Sequence, residues 1–465
     1  MRRSAHEVKM EILAPSLAGL IFVGMFVMIV LEKFERHYIT LVSGALVLVL
    51  VFGLCMRDMH AITEVLSFES LFDLGFWIGE GEEGSMGINW ATIIFIAGMM
   101  VMVEGLGEAG FFHWLCLLLA RMVNYRVTPL LICFMCISAG LAMFIDSITV
   151  VLFLAAVTVD LGRLLKFNPV PMVIAEIFCA NLGGAATMSG DPPNIIIGTA
   201  LGYTFMDFAT NTGLIVAICF VVIVAYFLLI FRKELKAADA MDRSGLSCPE
   251  PATAIHNKKL FIYAVVIFIG AIVLLVTHAQ TGLTVATIGV IMAVVTILGM
   301  IVLEDTKKAI ETLKKVDYKT LLFFIGLFVS VGGLEETGIL ELMAQGIMNI
   351  CQGNIKLILL VILLLSAVCS ALVDNIPFAA TMIPVIKSIS AAQGINLSML
   401  AWTLALGTDF GGNATPIGAS ANVVGTSIAA KEGHPIGWGT YCKYCVPGTI
   451  LIIGISLLCL YARYV

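Results

Sequence analysis

The chain has 465 residues, 60% hydrophobic and only 12% charged, against about 25% charged in an ordinary soluble domain. With a mean hydropathy of +1.04, that excludes a soluble globular protein and leaves an integral membrane protein. The net charge of -6 says little about partners, because in membrane proteins the placement of Lys and Arg carries more information than their sum. No basic patch of the nucleic-acid-binding kind is present, so no nucleic-acid partner is expected.

A spanning helix needs about 20 apolar residues. In chain order the first half offers predicted spans at 12–31, 38–56 and 89–105, a broken span at 170–201, and a last span at 211–231. The run from Ile12 to Leu31 is too long for the ~7–15-residue core of a signal peptide, and we read it as a retained span. A charged linker, 232–257, is expected to be a solvated cytoplasmic tether. The second half offers 258–277, 282–303 and 317–333, a broken span at 397–430, and 442–462. Between the third and the broken span of each half lie a shorter helix (110–123 and 338–352) and two apolar arms, 127–145 with 147–165 and 355–373 with 375–393. The turns between these arms lack the Gly, Asn, Asp and Ser cluster of a surface loop. Residues 127–165 and 355–393 are therefore read as re-entrant hairpins whose tips end inside the protein.

The broken spans carry the main signal. Gly183-Gly184-Ala185-Ala186-Thr187-Met188-Ser189-Gly190-Asp191-Pro192-Pro193-Asn194 cannot continue a helix, because proline removes a backbone donor and clashes with the preceding turn while glycine adds backbone entropy. Unwound backbone at membrane depth is tolerated only when buried in protein or lining a wet cavity, where transporters place binding sites. The stretch recurs 228 residues later as Gly411-Gly412-Asn413-Ala414-Thr415-Pro416-Ile417-Gly418-Ala419-Ser420-Ala421-Asn422. At the same offset Asn89–Gly110 aligns with Asp317–Gly338 at nine identical positions, and Asp146-Ser147-Ile148 falls on Asp374-Asn375-Ile376. Self-similarity at one long offset points to a duplicated half-transporter.

Each half makes five crossings. Five is odd, so the second half starts from the opposite face and the repeats, 1–231 and 258–465, are inverted. The expected fold is an all-α polytopic membrane protein of two inverted repeats of five spanning helices, each with a re-entrant hairpin and a broken helix. With the amino terminus outside, nineteen of the 26 Lys and Arg fall on the inner face, as the positive-inside rule requires. Arg2, Arg3 and Lys9 oppose that orientation mildly, and the acidic segment 57–88 falls outside. The expected location is the cell (inner) membrane, as a multi-pass protein.

Ionisable groups at membrane depth are costly and mark function. Asp146 and Asp374 stand at equivalent hairpin tips, with Ser147, Thr149 and Asn375 beside them. A carboxylate among hydroxyl and amide oxygens can take a proton or hold Na+, and these five are the ion-coupling candidates. Substrate-binding candidates are Gly183, Gly184, Thr187, Asp191 and Asn194 of the first unwound segment and Asp409, Asn413, Thr415, Ser420 and Asn422 of the second. Asp191 matches Ala419 and Asp409 matches Asn181: an asymmetry that suits one substrate beside one coupling ion, or a local cap. Glu104, Glu108, Glu176 and Glu336 are weaker candidates. No Arg or Lys lies in either broken span or at a hairpin tip, so the fixed charges suit a cation, a proton or a neutral molecule better than a naked multivalent anion. An anion would have to rest on half-helix amino termini and a co-bound cation. No cofactor is expected beyond a possible bound Na+, and no metal site. An enzyme is not expected, since there is neither a nucleophile–base pair nor a metal-binding His spacing.

The motifs at 183–195, 373–384 (Val-Asp-Asn-Ile-Pro-Phe-Ala-Ala-Thr-Met-Ile-Pro) and 411–424 resemble the ion transporter superfamily, within it the branch of the arsenite pump membrane subunit, the P protein and citrate-type (CitMHS-like) permeases. The resemblance covers nearly the whole chain. It implies a scaffold, a mobile domain of two hairpins and two broken helices, a homodimer, and elevator-type movement of a small inorganic or organic ion coupled to H+ or Na+. In dicarboxylate relatives each tip resembles Ser-Asn-Thr, whereas Asp-Ser-Ile-Thr and Asp-Asn-Ile-Pro stand here. That departure favours the arsenite/P-protein side or a sodium/proton antiporter over sodium-coupled dicarboxylate transport; an ion channel is the remaining alternative.

Overall fold

The computed structural model describes residues 5–31, 33–79, 87–240 and 249–465. Arg2, Arg3 and Arg243, used in the orientation count, lie outside the described residues, as do parts of the linker and of the acidic segment. Every regular element among the described residues is a helix. Ten are long and apolar enough to cross a membrane, so this is a multi-pass membrane protein. Their membership differs from the ten predicted crossings. One arm of each hairpin, Ser147–Leu165 and Ile355–Leu372, is among them, while the broken spans are not, because each divides into short halves. The halves are Val170–Gly184 with Pro192–Leu201 and Leu397–Gly412 with Ser420–Lys431. Both hairpins form, with arms Val127–Ala142 and Ser147–Leu165, then Ile355–Leu372 and Asn375–Gln393.

Inversion is visible in the last helix of each repeat, Phe205–Ile230 and Trp438–Tyr464. Tyr226 donates to the Tyr444 carbonyl, Cys219 approaches the Ile452 carbonyl, and Arg463 donates to the Thr210 carbonyl. Residue numbers rise on one helix as they fall on the other, so equivalent helices run antiparallel. The base of the second hairpin lies by the start of Phe205–Ile230, where Tyr461, two residues before Arg463, donates to the Lys356 carbonyl. The base of the first lies beyond its far end, where Val127 N–H donates to Asp239. A helix of 26 residues is roughly 39 Å long at 1.5 Å per residue. The hairpins therefore enter from opposite faces, and their tips meet between.

The framework around them is built by exchange. Arg36–Leu46, continued as a π-helical stretch to Met56, packs on Tyr318–Glu336 of the other repeat. Its counterpart Val285–Leu303 packs on Trp90–Glu108. The repeat-identical Gly98 and Gly326 explain why: a Cβ would lie 2.1 Å from the Gly289 carbonyl oxygen at the first and 2.3 Å from the Thr40 carbonyl carbon at the second. Without a hydrophobic drive between helices in lipid, such small-residue approach supplies the packing attraction.

The linker departs from the expected tether. Its first part is a helix, Arg232–Asp239, with Leu235 and Ala238 buried. Asp239 accepts from Val127 N–H at 2.7 Å, and Tyr125 donates to the Pro249 carbonyl. A carboxylate that satisfies orphan N–H groups at a helix start is worth about 1 kcal/mol, and it docks the segment on the hairpin base. The acidic 57–88 stretch likewise carries short helices, Met59–Leu66 and Leu74–Trp77.

Candidate functional site

Four helices begin at the centre of the molecule: Ser147–Leu165, Pro192–Leu201, Asn375–Gln393 and Ser420–Lys431. Their N-cap residues are Asp146, Asp191, Asp374 and Ala419. The free N–H groups and the dipole give each end partial positive charge, so three of the four ends carry their own carboxylate and the fourth carries none. Asp146 accepts from Thr149 N–H at 3.0 Å and from the Thr149 hydroxyl at 2.7 Å. Asp191 accepts from the Ser147 hydroxyl at 2.6 Å. Asp374 accepts from Ile376 N–H at 3.3 Å, and Asn375 beside it is buried.

A cavity of about 390 Å³ opens here. Both hairpin tips line it through Asp146, Ile148, Asp374 and Ile376, and the unwound segments through Ser189, Pro192 and Ser420. Helices Trp90–Glu108 and Tyr318–Glu336 form the opposite wall. Glu35, Arg36 and Lys319 stand at its mouth.

Arg36 corrects the charge argument made from the broken spans alone. Its guanidinium Nη1 lies 2.5 Å from Asp374 Oδ2 and 3.4 Å from the Ser420 hydroxyl, which itself donates to Asp374 at 3.0 Å. A fixed cation therefore does stand in the site, delivered from the opposite wall. Two acids at the cavity, Asp146 and Asp317, keep helix caps, and Glu35 pairs with Lys319 at 2.7 Å.

Behind the cavity the two unwound segments share one hydrogen-bond scheme. Asn194 Nδ2 donates to the Gly184 and Thr187 carbonyls at 3.1 and 3.2 Å, and Asn422 Nδ2 to the Gly412 and Thr415 carbonyls at 2.7 and 2.8 Å. Thr187 and Thr415 donate to the Met143 and Ala371 carbonyls at the hairpin tips. Gly183 and Gly411 face the backbone of Ala139 and Ala367, where a Cβ would lie 2.2 and 2.4 Å from a carbonyl oxygen. A Cβ on Gly184 would lie 2.9 Å from Asp191 Cγ. These glycines, threonines and asparagines hold the unwound backbone against the hairpins, satisfying carbonyls that a continuous helix would have paired. Asn413 and Asn422 accept from Asn181 Nδ2 at 3.0 and 2.7 Å, and Asp409 is fully buried. Asn181 was visible beforehand only as the repeat mate of Asp409. Glu176 is buried on Thr158, Glu108 pairs with Lys315, and neither lines the cavity. Among the described residues no group of three or more His, Cys, Asp or Glu could hold a metal ion.

A family model described as citrate transporter (CitMHS) matches residues 26–407. The chain belongs to the CitMHS family. Over 450 residues, 96% of this chain and 97% of the relative, it is 32% identical to an uncharacterized transporter of Mycobacterium tuberculosis. The P protein of Homo sapiens is 29% identical over 451 residues, 81% of this chain and 54% of that protein. Among solved structures, the YdaH transporter of Alcanivorax borkumensis superposes with a TM-score of 0.57 at 15% identity, covering 96% of this chain and 98% of its own. MtrF of Neisseria gonorrhoeae, described as one of a class of antimetabolite efflux pumps, gives 0.54 at 12% identity over 95% and 94%. At those identities the likeness is one of fold. This CitMHS-family protein is a membrane transporter.

Proposed function

We propose that the chain is a secondary active transporter, elevator-type, that moves a small organic or inorganic anion together with H+ or Na+. The observation that carries the reading is the Asp374 carboxylate seated on Arg36 and Ser420. Ser420 opens the one central helix whose N-cap, Ala419, carries no carboxylate and makes no side-chain cap. An uncapped helix start beside an arginine is an anion site, and Asp374 occupies it as an internal stand-in for a substrate carboxylate or oxyanion. A proton or Na+ on Asp374 would cancel its charge and free Arg36 and Ser420 for substrate, so that cation and anion load together. Asp146, capped by Thr149, is the second coupling candidate.

The family description, citrate transporter, supports a carboxylate cargo, and arsenite remains in the test panel on the resemblance of the motifs. The experiment is uptake of labelled citrate, smaller carboxylates and arsenite into proteoliposomes under imposed pH or Na+ gradients, with Asp146→Asn and Asp374→Asn. Gradient-driven anion flux lost in Asp374→Asn is the expected result. Unchanged coupled flux in both variants overturns the assignment, and Na+ exchange for H+ with no anion required would replace it with the antiporter reading.

A further inference from the structure

Asp409 and Asn181 occupy the same position in the two repeats, and comparing them shows what Asp409 must be. The Asn422 side chain is oriented by its surroundings, because its Nδ2 faces two carbonyl oxygens, Gly412 and Thr415. Its Oδ1 therefore points the other way and accepts from Asn181 Nδ2 at 2.7 Å. The Asn194 amide is oriented by the same logic, with Nδ2 on the Gly184 and Thr187 carbonyls. Its Oδ1 is buried without a donor, and Asp409 stands within reach of this amide, whose two N–H groups are already taken by those carbonyls. Where the first repeat supplies an amide N–H, the second supplies a carboxyl group.

Both Asp409 oxygens are buried and lack a donor, and Asp409 and Asn194 are 0% exposed. A carboxylate facing an amide oxygen would set acceptor against acceptor in a site closed to water. A carboxylic acid has one O–H to give, and the orphaned Asn194 Oδ1 is where it goes. We infer that Asp409 is a proton-carrying site at the centre of the molecule, its acid hydrogen donated to Asn194 Oδ1.

Asp191 is the acid that would relay a proton to it. Asp191 lies within interaction range of Asp146 and Asp374 on the cavity side and of Asp409 on the inner side. One of its oxygens takes the Ser147 hydroxyl while the other, Oδ2, is buried without a partner. A proton entering from the cavity can rest on Asp191 Oδ2 and pass to an Asp409 carboxylate; the return transfer leaves Asp409 anionic and Asp191 neutral, so charge balances at each step. Of the ionisable groups on the surrounding helices, Asp191 faces Asp409, while Glu176 is engaged with Thr158 and Asp374 with Arg36. Carboxyl chains of this kind serve as proton relays in transporters.

This inference rests on the transport reading for its meaning, but its test does not. Infrared spectra of the purified protein at neutral pH are compared for wild type and Asp409→Asn. The expected result is a protonated-carboxyl C=O band in wild type that shifts with isotope-labelled aspartate and is lost in Asp409→Asn. Asp409→Asn should melt close to wild type, since an amide N–H fills the donor position, whereas Asp409→Ala should melt clearly lower. Absence of any protonated-aspartate band in labelled wild-type protein overturns the inference without recourse to a variant. So does NaCl raising the melting temperature of wild type but not of Asp409→Asn, because sodium would then hold the site. A band present without gradient-coupled flux would retire the proposed function alone, and coupled flux without the band would retire this inference alone.

Discussion

Arg36 and Asp374 are 338 positions apart and meet at 2.5 Å across the central cavity, one from the framework and one from a hairpin tip. Asp374 is nearly buried on that contact while Arg36 keeps 30% of its side-chain surface exposed. The pair joins the two parts of the molecule that an elevator movement would separate, and a bare carboxylate left behind would be costly at membrane depth.

The first prediction follows from that cost. Arg36→Gln should destabilise the detergent-solubilised protein by about 1–3 kcal/mol, reduced from the fully buried case by solvent at Arg36. Arg36→Gln combined with Asp374→Asn should recover most of the loss. Thermal unfolding of the two single variants and the double, read as a mutant cycle, checks it, and an additive double would remove the pair as an energetic unit.

Substitution at Gly98 or Gly326 should disrupt the exchanged framework. A Cβ there meets backbone of Gly289 or Thr40, which cannot rotate away, so Gly98→Val should cost at least about 1–3 kcal/mol or block folding. Gly270→Ala, where nothing lies within 4 Å of the added atom, should leave the melting temperature unchanged. Monodispersity and melting of Gly98→Val, Gly326→Val and Gly270→Ala in detergent decide it.

Asn422 and Asn194 should be matched in what their loss does. Asn422→Leu strands the carbonyls of Gly412 and Thr415 and one N–H of the Asn181 amide, whose other bond, to Asn413, remains, a penalty on the order of 1–3 kcal/mol per orphaned group. Asn194→Leu strands the two equivalent carbonyls of the first unwound segment and the acid O–H of Asp409. Melting temperatures should fall in both variants, and a loss confined to one of them would contradict the shared hydrogen-bond scheme.

At the base of the first hairpin, Asp239→Ala should release the docked linker helix. Val127 N–H and Thr128 N–H lose their shared acceptor, worth about 1 kcal/mol. Deuterium uptake should rise in 232–239 and at the start of the Val127–Ala142 arm while the distant Ile355–Leu372 arm is unaffected. Uptake unchanged in 232–239 would mean the contact does not hold the segment.

What could be read from the chain alone was whatever is written as local pattern or as repetition. Apolar runs about 20 residues long announce spans, proline and glycine within 183–194 and 411–422 announce breaks, and the 228-residue offset pairs Asp146 with Asp374 and Asn194 with Asn422. An odd number of crossings makes the second copy inverted, and the antiparallel Phe205–Ile230 and Trp438–Tyr464 pair has that geometry. What only the tertiary structure decided is which copy touches which. Arg36 precedes an apolar run, where a charge ordinarily sits in water, and nothing near it in sequence places it beside Asp374. Asn181 and Asp409 are a matched pair on paper, yet their chemistry depends on the amide each one faces in the opposite repeat. Hydrophobic periodicity reports burial but not partners. Close backbone approach at Gly98 and Gly326, and side chains shared between the two inverted copies, place Arg36 and the central aspartates where chemistry can use them.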